Sequence, residues 1–493
     1  MSTGAPTADE KEKPAAHAVF FPFPAQGHVA PALHLAKLLH LRRGVRITFV
    51  HTERNRRRLL RSRGAAALAG APGFRFAVVP DGLPPPSGEG GDDDDGYSLQ
   101  DMVALLSSIK ASVPHLKNLL DGAAASGVPA TCVVSDIDCV LHAAREAGLP
   151  AVAFWTTSAC GLLGSMQCRL LMDKGLIPLK EEQLTNGYLD STVIDWLPGM
   201  PKDMRMREFV SFIRTTDPDD PMLSTVHQHM ESLQTIASAV VLNTFDDLEG
   251  QAIAALAPLL PAPIYTVGPL QLLAAAAAAG GTGSPLETLG ANLFTEDDGC
   301  LGWLGSRRPR SVVYANFGSI VVLTSRQLVE VATGLANSGY EFLLVIRDDL
   351  AKDFVMIQDL VEEAAKERCY VARWCPQDAV LRHEAIGAFV THCGWNSILE
   401  SISAGVPMLC WPFGADQPTN CRFACTEWHV GMKISAEFER GEVEARVREV
   451  MGGEKGMEMR RRAAELRERA AAVALLPDGR SWVNLDRLVT EVI

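Results

Sequence analysis

A histidine in a loop framed by Gly and Pro, two aspartates after a buried apolar run, and a polar stretch that opens a helix give this chain groups able to do chemistry together. Of its twelve histidines, His28 lies in Pro24-Ala-Gln-Gly-His-Val-Ala-Pro31, just past an apolar run. Imidazole titrates at about 6.5 unperturbed, so a histidine at such a strand end can take a proton from a hydroxyl. A carboxylate at a neighbouring strand end would fix its tautomer and stabilise the imidazolium that forms. Asp136 fits that role, with Asp138 as the alternative. The polar stretch is His392-Cys-Gly-Trp-Asn-Ser397. Gly394 permits close backbone approach, and the helix start that Asn396 and Ser397 can cap is an anion site suited to a phosphate. Glu400, one turn beyond Asn396, can hold a hydroxyl-rich group such as a ribose beside it. Asp416-Gln417 offer a carboxylate and an amide for sugar hydroxyls, and Trp374, next to a Pro-containing turn, offers a flat surface on which a base can stack.

These groups need strands to carry them. Ala388 to Thr391 and Val406 to Trp411 are short apolar runs bounded by Gly and Pro, the pattern of strands buried on both faces. Between them a helix is expected through Leu399 and Ile402, ending at Gly405, which makes a strand-helix-strand unit whose ligands sit at the strands' carboxyl ends. The same alternation recurs earlier, with strands expected at Ala16 to Phe23, Val45 to Val50, Ala130 to Ser135 and Ala151 to Trp155, and later at Ser311 to Phe317 and Tyr340 to Ile346. The reading is α/β, with two doubly wound domains. It expects a disordered tail over 1–15, a first domain over 16–268, an Ala- and Gly-rich linker over 269–298, a second domain over 299–475 and a terminal helix over 476–493. Ser481 can cap that helix, with Val483, Leu485, Leu488 and Val489 as its apolar face. Arg54 to Arg63 reads as a solvated helix face, and Pro84 to Gly96 as a flexible acidic surface loop.

With 493 residues, 47% hydrophobic and 21% charged, the chain has a globular composition long enough for two cores. A net charge of −13 argues against nucleic acid or an anionic membrane as partner. An anionic ligand must then be held by local helix ends and backbone donors. Eleven cysteines without regular spacing suggest neither a disulfide framework nor zinc; Cys421 and Cys425 are one turn apart with nothing nearby in sequence to complete a set. The polar, acidic start and the lack of a long apolar window point to a soluble cytoplasmic protein.

Singly, each site residue has an ordinary structural explanation: the tryptophans could be core aromatics, His392 a buried histidine, Asp136 a helix cap. Together they form a pattern. The 44-residue stretch Trp374 to Gln417, with Gln377, HCGWNS, Glu400 and the closing Asp416-Gln417, closely resembles the signature box of plant secondary-product UDP-glycosyltransferases. FPAQGHVAP, CVVSD, FWTTSACG, LNTFDDLE, IYTVGPL, SVVYANFGS and NLDRLV extend the likeness over nearly the whole chain, nearest in appearance to the branch that glucosylates cyanohydrins and terpenoid alcohols. The resemblance implies the GT-B fold, a terminal helix that crosses back to the first domain, and inverting transfer of glucose from UDP-glucose to a hydroxyl or carboxyl of a small lipophilic acceptor, by a monomer without a metal. It implies His28 and Asp136 as catalytic residues. It implies Trp374, Cys375, Gln377 and Glu400 around the nucleoside, Ser319, His392, Gly394, Asn396 and Ser397 around the diphosphate, and Trp395, Asp416, Gln417 and Thr156 around the sugar. Three other readings compete. Asp136-Ile-Asp138 could be a metal-binding DxD, a weak pattern; an oxidoreductase would want GxGxxG where this chain has PAQGHVA; and a degenerate, non-catalytic binder would not need both His28 and Asp136.

Overall fold

Runs such as Cys132-Val-Val-Ser135 and Ala239-Val-Val-Leu242 are buried along their whole length, as strands covered by helices on both faces must be. In the computed structural model, which describes residues 16–82, 99–279, 281, 283–286, 289–347, 351–435 and 439–493, they lie in two parallel sheets. The expected tail over 1–15 and the acidic stretch Pro84 to Gly96 lie outside the described residues. The first sheet contains β1 (His17–Phe20), β2 (Arg46–Thr52), β3 (Phe74–Val79), β4 (Cys132–Ser135), β5 (Ala151–Trp155), β6 (Ala239–Leu242) and β7 (Ile264–Thr266), in the order β3-β2-β1-β4-β5-β6-β7. The second contains β8 (Val312–Asn316), β9 (Glu341–Val345), β10 (Cys369–Ala372), β11 (Ile386–Thr391), β12 (Met408–Cys410) and β13 (Gly431–Lys433), in the order β10-β9-β8-β11-β12-β13.

Strand order reverses direction between β1 and β4 in one sheet and between β8 and β11 in the other. A doubly wound sheet opens a crevice at the carboxyl ends of such a pair, because the two crossover helices leave to opposite faces. β1 leads to His28 and β4 to Asp136; β8 leads to Ser319 and β11 to His392. These four expected site residues thus stand at the two switch points.

Several local expectations are corrected. The helix Trp395–Ala404 starts from Gly394 without a side-chain cap, because Asn396 and Ser397 lie inside its first turn and bond elsewhere. Its end at Gly405, φ 74°, is as expected. Ser481 does not cap the last helix, Arg480–Glu491; its hydroxyl donates to the Gly268 carbonyl at 2.5 Å. Val483 is 45% exposed, and Trp482 takes its place beside Leu485 and Leu488 in the buried face. That helix lies on the first domain, with Asn484 donating to the Thr266 carbonyl and Asp486 paired with Arg42 and Arg43. The Arg54 to Arg63 run forms a helix, but not a wholly solvated one: Arg58 is buried and Arg63 pairs with Glu296 at 2.7 Å. The Ala-rich connector forms the helix Leu270–Ala279, whose Leu270, Leu272 and Leu273 are buried. Finally, the fold brings Cys393 and Cys410 up to Cys421, with the three sulfurs within 4.8 Å of one another, so a partner set exists that sequence distance hid. Burial pushes the Cys393 thiol pKa up, as expected of a thiol packed in a core.

Candidate active site

The helix Gln26–Arg43 begins directly after the loop that leaves β1, so His28 sits in its first turn rather than in the loop itself. Its Nδ1–H donates to Asp136 Oδ2 and shares that proton with Thr156 Oγ1 at 2.9 Å. The Asp136 side chain is buried, and its other oxygen accepts the Phe23 backbone N–H at 2.7 Å. The carboxylate is therefore anchored by the strand end it faces, and it fixes the tautomer that leaves His28 Nε2 available as a base. His28 keeps 27% of its side chain exposed. Asp138 does not reach this ring; it opens the helix Asp138–Glu146, 3.6 Å from His142 Nε2. Thr156, expected at the sugar, joins His28 to Asp136 in this structure.

Across the cleft, the His392 ring lies between two glycines. A Cβ on Gly318 would fall 2.5 Å from it and one on Gly394 2.4 Å, and Gly318 has φ 75°. Both positions need glycine for this approach. Burial, reinforced by Arg347, lowers the His392 pKa to about 4, so the ring is neutral near pH 7, and its buried Nδ1 has no hydrogen-bond partner among the described residues. Ser319 follows Gly318 in the same turn.

Other residues expected at the nucleotide or the sugar have side chains bonded within the protein. Gln377 uses its whole amide: Oε1 accepts from Asn316 Nδ2 at 2.8 Å and the Tyr314 hydroxyl at 3.2 Å, while Nε2 donates to Ser397 Oγ at 2.9 Å and Glu400 Oε2 at 2.7 Å. Cys375 is buried with its thiol against Cys300. The Trp395 indole N–H donates to the Asn243 carbonyl of the first domain at 2.8 Å, so its ring is part of the domain contact. Asn396 likewise reaches across, donating to the Gly27 carbonyl at 2.8 Å. Gln377 can meet a ligand only through its backbone or after a change of partner, whereas the Asn396 amide oxygen is not used by its bond to Gly27. Burial, then the charge of Asp378, pushes the Glu400 carboxyl up to about 8. Asp416, also raised by burial, accepts from Asn420 Nδ2, and Gln417 Oε1 accepts the N–H groups of Phe413 and Gly414.

Sequence reasoning missed Phe294. Its ring lies 4.5 Å from that of Trp374, at 32°, and covers one face of the indole. The connector backbone closes the arrangement, with Asp297 N–H donating to the Trp374 carbonyl. An aromatic after the Ala-rich run was the available signal. Asn243, which receives Trp395, had none beyond its place after β6.

A family model described as "UDP-glucoronosyl and UDP-glucosyl transferase" matches residues 97–461. The chain belongs to this family. Over 482 residues the transferase is 49% identical to a 7-deoxyloganetin glucosyltransferase of Gardenia jasminoides, with 96% of this chain and 97% of that protein aligned. It is 46% identical over 494 residues to the (R)-mandelonitrile beta-glucosyltransferase of Prunus dulcis, covering 98% of each. Among solved structures, Os79 from O. sativa in complex with UDP superposes with a TM-score of 0.78 at 28% identity, over 97% of this chain and 100% of that one. The transferase has the GT-B fold, and the resemblance to the cyanohydrin and terpenoid-alcohol branch holds.

Proposed function

We propose that this UDP-glucosyltransferase moves glucose from UDP-glucose to a hydroxyl, or a carboxyl, of a small lipophilic plant metabolite, and that His28, Asp136 and Thr156 are its catalytic corner. The His28 contact with a buried, backbone-anchored Asp136 carries the assignment. Nε2 of His28 takes the acceptor proton while Asp136 stabilises the imidazolium. The acceptor oxygen attacks the anomeric carbon from the face opposite UDP, so one displacement turns an α-linked donor into a β-glucoside. The diphosphate is met by His392, Ser319 and the N-terminal turn of Trp395–Ala404, where peptide N–H groups point outward. A base stacks on the ring of Trp374, which is packed against Phe294. Asp416 and Gln417 read the sugar, with Gln417 resembling glucose-using members of the family. Relatives named for 7-deoxyloganetin and (R)-mandelonitrile support a hydroxylated small molecule as acceptor.

No metal enters this reading, because protein donors face the leaving group and Asp136 is committed to His28 and Phe23. The enzyme is taken to act as a cytoplasmic monomer; among the described residues no helix is long and apolar enough to cross a membrane. The test is a panel of small alcohols, phenols, cyanohydrins and acids with UDP-glucose, followed by UDP release and by NMR of the product. The expected result is a β-glucoside at a rate unchanged by EDTA. An α-linked product, or activity that vanishes with chelator and returns with Mn²⁺, would overturn the mechanism.

A further inference from the structure

Next to the catalytic corner is a second polar cluster that the transfer step does not use. Asp138 follows β4, Trp155 ends β5, and Thr156, the next residue, is the one that touches His28. His229 faces them from the helix Pro221–Thr235, its ring edge to face with Trp155 at 5.5 Å and 77°. Among the described residues, His229 Nε2, Trp155 Nε1 and Asp138 Oδ1 are closed to solvent and have no hydrogen-bond partner. His142 Nε2 lies 3.6 Å from Asp138 Oδ1, beyond hydrogen-bond reach, and is bonded to Ser232 Oγ at 3.1 Å. A buried donor or acceptor left unpaired costs the full desolvation of that group, and native proteins leave few of them. Three on neighbouring elements beside a catalytic base mark a place built for a polar group.

The chemistry of the three restricts that group. Trp155 Nε1–H only donates, and a carboxylate only accepts. A hydroxyl is the smallest group that can accept from one and donate to the other. Burial holds the His229 imidazole below its ordinary pKa, and His28, Asp136 and Asp138 are near enough for their charges to act on it. A carboxylate brought to this place would meet the carboxylate of Asp138, so an anionic group would be repelled.

Resting on the transfer reading above, we propose that Asp138, Trp155 and His229 form a subsite that binds a second, uncharged hydroxyl of the acceptor while the first hydroxyl faces His28. The enzyme should therefore prefer neutral diols and related polyols to mono-alcohols of the same skeleton, and discriminate against hydroxy acids.

The experiment compares benzyl alcohol, 1,3-benzenedimethanol and 3-(hydroxymethyl)benzoic acid as acceptors with saturating UDP-glucose. After halving the diol's value for its two equivalent hydroxyls, its kcat/KM should exceed that of benzyl alcohol by about tenfold or more, carried by KM, with the acid below both. In His229→Leu the diol-to-alcohol ratio should fall to about one, and His229→Gln, which keeps an amide donor and acceptor, should restore part of it. Trp155→Phe should lower the ratio without changing ring packing, which covers the case of a His229 variant that does not fold. A purely structural role would slow all three acceptors alike and leave the ratio unchanged. A wild-type ratio near one, a ratio that survives His229→Leu, an acid used as well as the diol, or no turnover of the diol would overturn the proposal. UDP release on the wider acceptor panel reports separately on the transfer reading, so the two can fail independently.

Discussion

His28 and Gln377 are both polar residues beside a strand end that faces the cleft, yet His28 bonds to protein through one ring nitrogen and Gln377 through every hydrogen-bonding group of its amide. The contrast extends to their surroundings. Around His28, side chains hold one another so that one basic atom remains available. Around Gln377, side chains are spent on each other, tying β8 to the helix Trp395–Ala404 through Asn316, Ser397 and Glu400. A reacting proton needs a free side-chain atom at one place, whereas a diphosphate and a base can be met by backbone N–H groups and a flat ring, provided the backbone is stiff. In the proposed reading the first domain presents the reacting side chain, and the second presents backbone donors with His392, Trp374, Asp416 and Gln417 set beside them.

The largest expected effect comes from breaking the first domain's part of this contrast. His28→Ala should lose about 10²–10⁴-fold in kcat on an aliphatic alcohol, the usual loss for a positioned base. An acidic phenol, partly ionised unaided, should lose less, and near-normal turnover of the alcohol would rule out His28 as base. Asp136→Asn should lose a smaller part of that same range of about 10²–10⁴, with UDP affinity by calorimetry nearly unchanged, because Asp136 bonds within the first domain only. Thermal melting of both variants keeps a folding defect apart from a catalytic one.

Gln377→Leu attacks the other wall. It strips partners from Asn316, the Tyr314 hydroxyl, Ser397 and Glu400, at about 1–3 kcal/mol for each group left buried and unpaired. Melting temperature and UDP affinity should fall together; loss of affinity in a protein that melts normally would instead mean that Gln377 touches the nucleotide directly. Gln417→His should narrow the preference for UDP-glucose over UDP-galactose, measured as a kcat/KM ratio, and equal use of both donors by the unaltered enzyme would remove the basis for that assignment.

The smallest effect tests Glu400. Its folded pKa of about 8 lies above the ordinary carboxyl value, so the folded chain keeps a proton that the unfolded chain releases near 4.5. Raising the pH through that window costs stability, and the cost is absent at acid pH. Glu400→Gln mimics the protonated form, so its melting temperature should gain on the wild type as pH rises from 5 to 8, with UDP absent. A constant difference would mean that the carboxyl is ionised in the folded state.

The contrast between the walls also explains what could be read in advance. The two switch points were legible because short apolar strands and the Gly-bearing loops after them leave a local pattern, and this pattern carried His28, Asp136, Ser319 and His392 to their places. Side-chain partners at long range leave none. Nothing around Asn396 announces the Gly27 carbonyl, and nothing around Trp395 announces Asn243. The Ala-rich run looked like a spacer because composition there is simple, yet alanine is the strongest helix former and three leucines gave the helix a buried face. The Cys421 and Cys425 pair looked incomplete because Cys393 and Cys410 come from elsewhere in the chain.

Phe294 has a consequence for recombining these enzymes. The segment that supplies it also receives Gln26, Lys37 and Arg63 from the first domain, through Asn292, Leu289 and Glu296, while its Asp297 bonds the backbone of Trp374 in the second. It therefore belongs to both parents of any hybrid. A chimera joined within residues 289–298 would pair one parent's arginine and glutamine with the other's acceptors and set a foreign ring against Trp374. Exchanges that keep this stretch, the surface of the helix Gln26–Arg43 and Arg63 from one parent should preserve donor binding when the remaining acceptor half is replaced.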